Sequence, residues 1–123
     1  MNLETLTQHA ARILTTRTGL TVDLTTLTVS TTEEKREAGV CWETAKGLQI
    51  GINLGLHKDE SQIIATLVHE LIHAAIGCEK GHNQTFQKYM KLAGLWGIHQ
   101  GQETLQLVRD IYAALGWELK RRP

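Results

Sequence analysis

Five consecutive residues, His69-Glu70-Leu71-Ile72-His73, bring together the side-chain types that metal-assisted hydrolysis needs. On an α-helix, positions four apart lie on one face, so His69 and His73 can point two imidazoles at a single ion. Glu70 sits beside the first of them, where its carboxylate can take a proton from water activated by that ion. The motif therefore predicts a metal site with a built-in general base.

The helix that must carry it is legible on both sides. Asp59 stands as an N-cap with Gln62 three residues on, the arrangement of a capping box, and Gly77 is a natural stop. Between them Ile63, Ile64, Leu67, Val68, Leu71, Ile72, Ala74, Ala75 and Ile76 leave almost no polar face, which predicts a helix buried on most sides. The polar exceptions, Thr66, His69, Glu70 and His73, form one narrow stripe. Burying two imidazoles and a carboxylate is costly unless they are paired or ligated, so the stripe favours a metal site over a satisfied core network.

A catalytic zinc site takes three protein ligands and keeps a fourth position for water. His82 is the best third donor. It lies just beyond the helix in Gly77-Cys78-Glu79-Lys80-Gly81-His82-Asn83, where two glycines permit a tight reversal and Asn83 can cap a following helix. Glu79 and Cys78 compete, but a charged loop residue is usually solvated, and a cysteine one turn past the motif more often packs as a small apolar group. Of the other histidines, His9 reads as exposed, and His57 and His99 can line a cleft without being required to.

With these residues in place, the chain resembles a SprT-like metalloprotease domain, the family that includes the Spartan DNA–protein crosslink proteases. The likeness rests on His69-Glu70-Leu71-Ile72-His73-Ala74, on Gly81-His82-Asn83-Gln84-Thr85-Phe86 as a Gly-His-x-x-x-Phe box, and on Ala38-Gly39-Val40-Cys41-Trp42 as the Ala-Gly-x-Cys opening of a hairpin strand. The resemblance implies that His69, His73 and His82 bind Zn2+, that Glu70 is the general base, and that the substrates are proteins, DNA-associated ones among them. Family members commonly add a cysteine-rich zinc ribbon or basic DNA-binding regions; with only Cys41 and Cys78, this sequence holds no ribbon.

Composition narrows the partners. Thirteen basic residues balance thirteen acidic ones, and only 5% of the chain is aromatic, so neither tight phosphate binding nor a base-stacking platform is supported. Arg109, Lys120, Arg121 and Arg122 are the one available basic patch. Glu33-Glu34-Lys35-Arg36-Glu37 is mixed in sign and reads as a solvated approach to a strand. The segment Met1 to His9 lacks the apolar core of a signal peptide, and no stretch is long and apolar enough to span a bilayer. Two cysteines form no recognisable metal or disulfide framework, which fits a reducing cytoplasm.

A length of 123 residues predicts one domain, residues 1–123. The expected architecture is α+β of a small zincin-like kind: an N-terminal helix, a short antiparallel sheet with a β-hairpin, the active-site helix and C-terminal helices. Leu3, Leu6, Ala10, Ile13 and Leu14 give the first helix, ending near Gly19. Val22, Leu24, Leu27 and Val29 alternate with threonine and predict strand. Val40-Cys41-Trp42 and Leu48 to Leu54 flank Thr44-Ala45-Lys46-Gly47 as a hairpin, with Ile50, Ile52 and Leu54 as a strand edge able to align an extended substrate. Phe86, Tyr89, Met90 and Ala93 continue from Asn83 to Gly94, and Leu105, Val108, Ile111, Tyr112 and Leu115 form a last helix ending at Gly116.

These expectations describe a zinc-dependent endopeptidase. Tyr89, Tyr112, His99 and Arg109 are the available donors to a developing oxyanion, with core packing the stronger expectation for both tyrosines. Two other readings use the same residues: a regulatory protease confined to one partner protein, and a zinc-stabilised binding module without catalysis; a third, a DNA-binding adaptor, is opposed by the neutral net charge. Only the catalytic readings give Glu70 work to do. Histidine ligands also accept manganese or another divalent ion in place of zinc. No motif encodes the substrate or the oligomeric state.

Overall fold

The computed structural model describes residues 2–33, 36–95 and 102–116. Four helices and a three-stranded sheet alternate as α1 (Leu3–Thr18), β1 (Thr28–Thr31), β2 (Gly39–Thr44), β3 (Gly47–Ile52), α2 (Glu60–Ile76), α3 (Gln84–Ala93) and α4 (Gln102–Leu115), with short 3₁₀ turns at Leu54–Leu56 and Cys78–Lys80. This is the α+β class that the sequence patterning predicts. Among the described residues no helix is long and apolar enough to cross a membrane.

Helix ends follow local chemistry. The side chain of Asn2 accepts the Thr5 N–H to open α1, and Gly19, with φ of 78°, closes it in the left-handed conformation that costs glycine least. Asp59 opens α2 by accepting the Gln62 N–H at 3.0 Å. The reciprocal half of the expected capping box lands one residue earlier: Gln62 Oε1 accepts the N–H of Lys58, at 2.7 Å.

Helix α2 is the central element, touching α1, α3, α4, β2 and β3. Its Ile64, Leu67, Val68, Leu71 and Ile72 are fully buried against Leu6, Ala10 and Leu14 of α1, Ile50 and Ile52 of β3, and Leu107, Val108 and Ile111 of α4. Burying one such aliphatic side chain contributes about 1.5–3 kcal/mol, which explains why a helix of modest propensity residues is held so firmly.

The sheet departs from expectation in three ways. It is mixed rather than antiparallel, in the order β1-β3-β2, because β1 runs parallel to β3 with Val29 opposite Ile50. Strand β1 is shorter than the Val22–Val29 alternation predicts: the side chain of Asp23 accepts the Thr25 N–H at 3.0 Å, and this local turn wins over β-propensity. Strand β3 is central, not an edge, and Leu54 falls in the 3₁₀ turn after it. Among the described residues, the free edge beside α2 is β2, paired to β3 through Gly39↔Ile52, Cys41↔Ile50 and Glu43↔Leu48.

Other sequence expectations fare unevenly. His9 is half-buried rather than exposed. His99 and the Lys120-Arg121-Arg122 run lie outside the described residues, as do Glu34 and Lys35 of the mixed charge run.

The end of α1 is tied to the other helices by one guanidinium. Arg17 donates to the carbonyl of Ala93 at 3.0 Å and forms an ion pair with Asp110 of α4. Partial burial works against the charged carboxylate, but hydrogen bonds from Arg17 and Gln106 and the Arg17 charge outweigh it and hold Asp110 below its ordinary range. A carboxyl depressed in the folded state stabilises above its unfolded pKa and loses that contribution as pH falls through the folded value. Arg17→Ala is therefore expected to lower stability near pH 7 by about 1 kcal/mol, allowing for solvent screening of the pair. In urea titrations the gap from wild type should narrow as pH drops below about 4.

Candidate metal centre

Helix α2 and the loop after it bring His69, His73 and His82 to one point. One potential ligand atom from each lies within 4.8 Å of the others. Ring centroids are 4.9 Å apart for His69–His73, 5.1 Å for His69–His82 and 5.0 Å for His73–His82. The first two are fixed by one turn of helix. The third is delivered by the reversal at Gly77 and Gly81, whose φ values of 118° and 63° suit glycine. Asn83 then opens α3 by accepting the Phe86 N–H at 2.9 Å.

Phe86 is the floor of the cluster. Its ring stacks on His73 at 4.1 Å and on His82 at 4.8 Å, and meets His69 edge-on at 5.0 Å, while being only 1% exposed. The sequence places Phe86 in the helix after Asn83 and at the end of the Gly-His-x-x-x-Phe box; its contact with all three imidazoles emerges only when α3 folds back on α2.

Two of the imidazoles, His69 and His73, are biased towards the neutral form that binds metals. Burial, reinforced by the charges of His73 and His82, pushes His69 down to about 4. Burial and the His82 charge lower His73 as well. Neutral imidazole is the ligating state. His73 Nδ1 is also buried without a hydrogen-bond partner. Such an atom carries a desolvation cost that a coordinated ion at the ring would offset. The donor set fits a divalent transition ion such as zinc.

Glu70 lies beside the cluster at 5% exposure, with its Oε2 3.9 Å from His69 Nε2. Burial, with the nearby Glu37 carboxylate adding to it, pushes Glu70 up to about 7. A nearby cation favours the ionised form.

Gly39, Thr66 and His57 shape the surroundings of Glu70. A Cβ on Gly39 would sit 2.6 Å from Thr66 Cγ2 and 3.0 Å from Glu70 Oε2, so β2 can approach α2 this closely only with glycine there. Thr66 in turn is held by His57, whose Nε2 lies 2.8 Å from the threonine hydroxyl and whose Nδ1 lies 2.6 Å from the carbonyl of Asn53. A carbonyl only accepts, so Nδ1 carries the proton; in the neutral ring Nε2 accepts from Thr66. His57 thus braces α2 rather than joining the histidine cluster.

The cluster opens into a cavity of about 900 Å³ walled by Gly39 and Cys41 of β2, Thr66 of α2, and Met90 and Leu95 beyond Phe86. Cys78 lines it too, bonded to Cys41 rather than packed as a lone apolar group. Glu79 is exposed and stays out of the cluster. The expected oxyanion donors are not assembled there: Tyr112 donates to Glu60 Oε2 at 2.8 Å, Arg109 is exposed on α4, Tyr89 does not line the cavity, and His99 is outside the described residues.

Fold and cluster together describe an α+β chain with three histidines placed where they could hold a metal ion. Residues 3–106 match the model of the SprT-like family, and the chain belongs to that family. Comparison with curated proteins and with solved structures returns no match.

Gly39→Ala is expected to force β2 away from α2 or to displace Thr66 and Glu70. Overpacking of this kind costs about 1–3 kcal/mol, measurable as a lowered urea midpoint with the slope unchanged.

Proposed function

We propose that the chain is a zinc-dependent endopeptidase. The observation that carries this reading is the convergence of His69, His73 and His82 with the buried Glu70 beside them, in a chain of the SprT-like family. In this reading His69, His73 and His82 hold Zn2+ and Glu70 is the catalytic base.

A bound zinc ion supplies Lewis acidity, bringing the pKa of water towards ~7 and polarising a carbonyl. Glu70 receives the proton of the attacking water on its carboxylate as the oxygen adds to the scissile carbonyl carbon. It then passes that proton to the departing nitrogen, so the C–N bond breaks, a neutral amine leaves, the acyl fragment keeps the added oxygen as a new carboxyl group, and Glu70 returns to its carboxylate form. The walls around Glu70, Gly39 on one side and Thr66 on its own helix, restrict the carboxylate to a small range of positions. Restricting a general base in this way favours geometries close to the reacting one.

The substrate is an extended protein segment laid along β2. Ala38 accepts the Asn53 N–H at 2.9 Å, and with the observed register this leaves the backbone groups of Gly39, Cys41 and Glu43 pointing away from β3. A strand added there gains main-chain hydrogen bonds next to the histidine cluster. Main-chain pairing selects for extended backbone rather than for one side chain, which suits a protease of broad protein substrates. DNA-associated proteins among them are proposed from the family resemblance alone, and the zero net charge offers no support for tight DNA binding.

Glu70→Gln should retain near-stoichiometric zinc by elemental analysis while losing at least about a hundredfold in peptidase rate, the contribution of a general base. His82→Ala, purified without added metal, should lose most of its zinc and its activity together. Undiminished cleavage by Glu70→Gln protein would sink the mechanism; unchanged zinc in His82→Ala would remove His82 from the ligand set.

A further inference from the structure

The wall of the cavity holds a second pair of reactive groups. Cys41 of β2 and Cys78 of the 3₁₀ turn are joined as a disulfide, with Cα atoms 5.6 Å apart and a sequence separation of 37. Both line the same cavity as the histidines, and neither is fully buried, so a small reagent entering the cavity can reach the bond.

Its place in the chain matters more than its presence. Cys78 lies between His73, which ends the helical pair, and His82, which is exposed on the loop. The other bonds of that loop are local. Gly77 N–H donates to the His73 carbonyl at 2.8 Å and Lys80 N–H to the Gly77 carbonyl at 3.1 Å. Gly77 and Gly81, both at positive φ, are joints with little intrinsic stiffness. Among the described residues, the Cys41–Cys78 bond is the covalent tie between the segment bearing His82 and the sheet. A cross-link of this kind removes conformations from the loop that would otherwise carry its end away.

We propose that Cys41 and Cys78 form a thiol–disulfide exchange site whose redox state sets how firmly the chain holds a metal ion through His82. The inference rests on the metal-centre reading above. Oxidation proceeds with a low-molecular-weight disulfide such as glutathione disulfide as the oxidant. One cysteine thiolate attacks it to give a mixed disulfide and release one thiol; the second cysteine attacks that intermediate, forming the Cys41–Cys78 bond and releasing the second thiol. The two protons from the cysteines end on the two released thiols, and two electrons pass to the oxidant. Reduction by a thiol reverses each step and frees the turn. His69 and His73 then remain preset by helix α2, while His82 samples positions away from them. Groups that orient a metal ligand from outside the coordination shell typically affect affinity by 10–100-fold.

The test uses the full chain, stripped of metal, in its oxidised form and after treatment with a phosphine reductant that adds no thiolate ligand. Thiol labelling and mass spectrometry establish the state of the pair, and competition with a chromophoric chelator measures zinc affinity in each. Reduction is expected to weaken zinc binding at least about tenfold, with far-UV circular dichroism unchanged. Cys41→Ser/Cys78→Ser protein should show the weaker affinity in both conditions. Equal or tighter binding on reduction overturns the proposal, as does a fall in melting temperature with affinity unmoved, the mark of a purely structural staple. Loss of helix on reduction overturns it too, because the effect is then global. Two free thiols in protein exposed to glutathione disulfide overturn it directly. Absence of zinc binding in either state defeats the metal-centre reading as well, whereas redox-independent zinc binding defeats this inference alone.

Discussion

The structure depends on how an almost wholly apolar helix carries an imidazole pair and a carboxylate into its interior. Helix α2 is packed by three helices and two strands, and its polar stripe of Thr66, His69, Glu70 and His73 lines one cavity. Desolvation is the leading influence on His69, Glu70 and His73 alike, and it acts in opposite directions on acid and base. It strips charge from the imidazoles, which readies them as ligands, and it disfavours charge on Glu70, which makes the carboxylate a stronger base once ionised. A single physical effect, burial away from water, therefore tunes three groups. The fold has to supply only burial on all sides but one.

Neighbouring elements differ in how they meet that requirement. The face of α2 towards α1 and α4 is sealed by aliphatic side chains, where exact partners matter less than volume. The face towards the sheet is sealed by backbone. Gly39 lets β2 lie against Thr66 and Glu70 with no side chain between them, so the carboxylate is enclosed by a strand that still has a free hydrogen-bonding edge. The end of the cluster is sealed by the Phe86 ring, which is apolar enough to exclude water yet flat enough to contact three imidazoles.

How much of this was legible depended on range. Helix α2 could be read from Asp59 to Gly77 because caps and hydrophobic pattern agree within the segment itself. The same holds for α1, α3 and the Gly39–Ile52 hairpin. His82 was readable because it follows the helix closely and a glycine-flanked turn limits where it can go. Failures came where a local competitor or a distant partner decided. Asp23 diverted Val22 and Leu24 from the strand that their alternation suggests, through a side-chain hydrogen bond that periodicity does not encode. The parallel pairing of β1 with β3 is non-local, and nothing in either segment announces it. Cys41 and Cys78, which form no recognisable framework in the sequence, meet because β2 and the turn after α2 reach the same cavity wall. The His57–Thr66 brace was missed for the same reason: its partners are in different elements.

An unpaired strand edge is a hazard in most proteins, since its N–H and C=O groups recruit other strands indiscriminately. Among the described residues strand β2 keeps such an edge, and the ways of blunting it are confined to its far end, where Trp42, Glu43 and Thr44 are exposed beside the hairpin turn. Near the histidines there is only Gly39, Val40 and Cys41, with neither proline nor charge among them. Moving the charges inward would protect the edge but place like charge against Glu70, already opposed by Glu37. Moving a larger residue to position 39 would protect it by pushing β2 off α2. The part of the edge closest to Glu70 is thus left open by the same packing that encloses the carboxylate. In the proposed reading that is where an extended substrate belongs: the strand that desolvates the base is also the one that aligns the peptide, so access and burial are settled by one element.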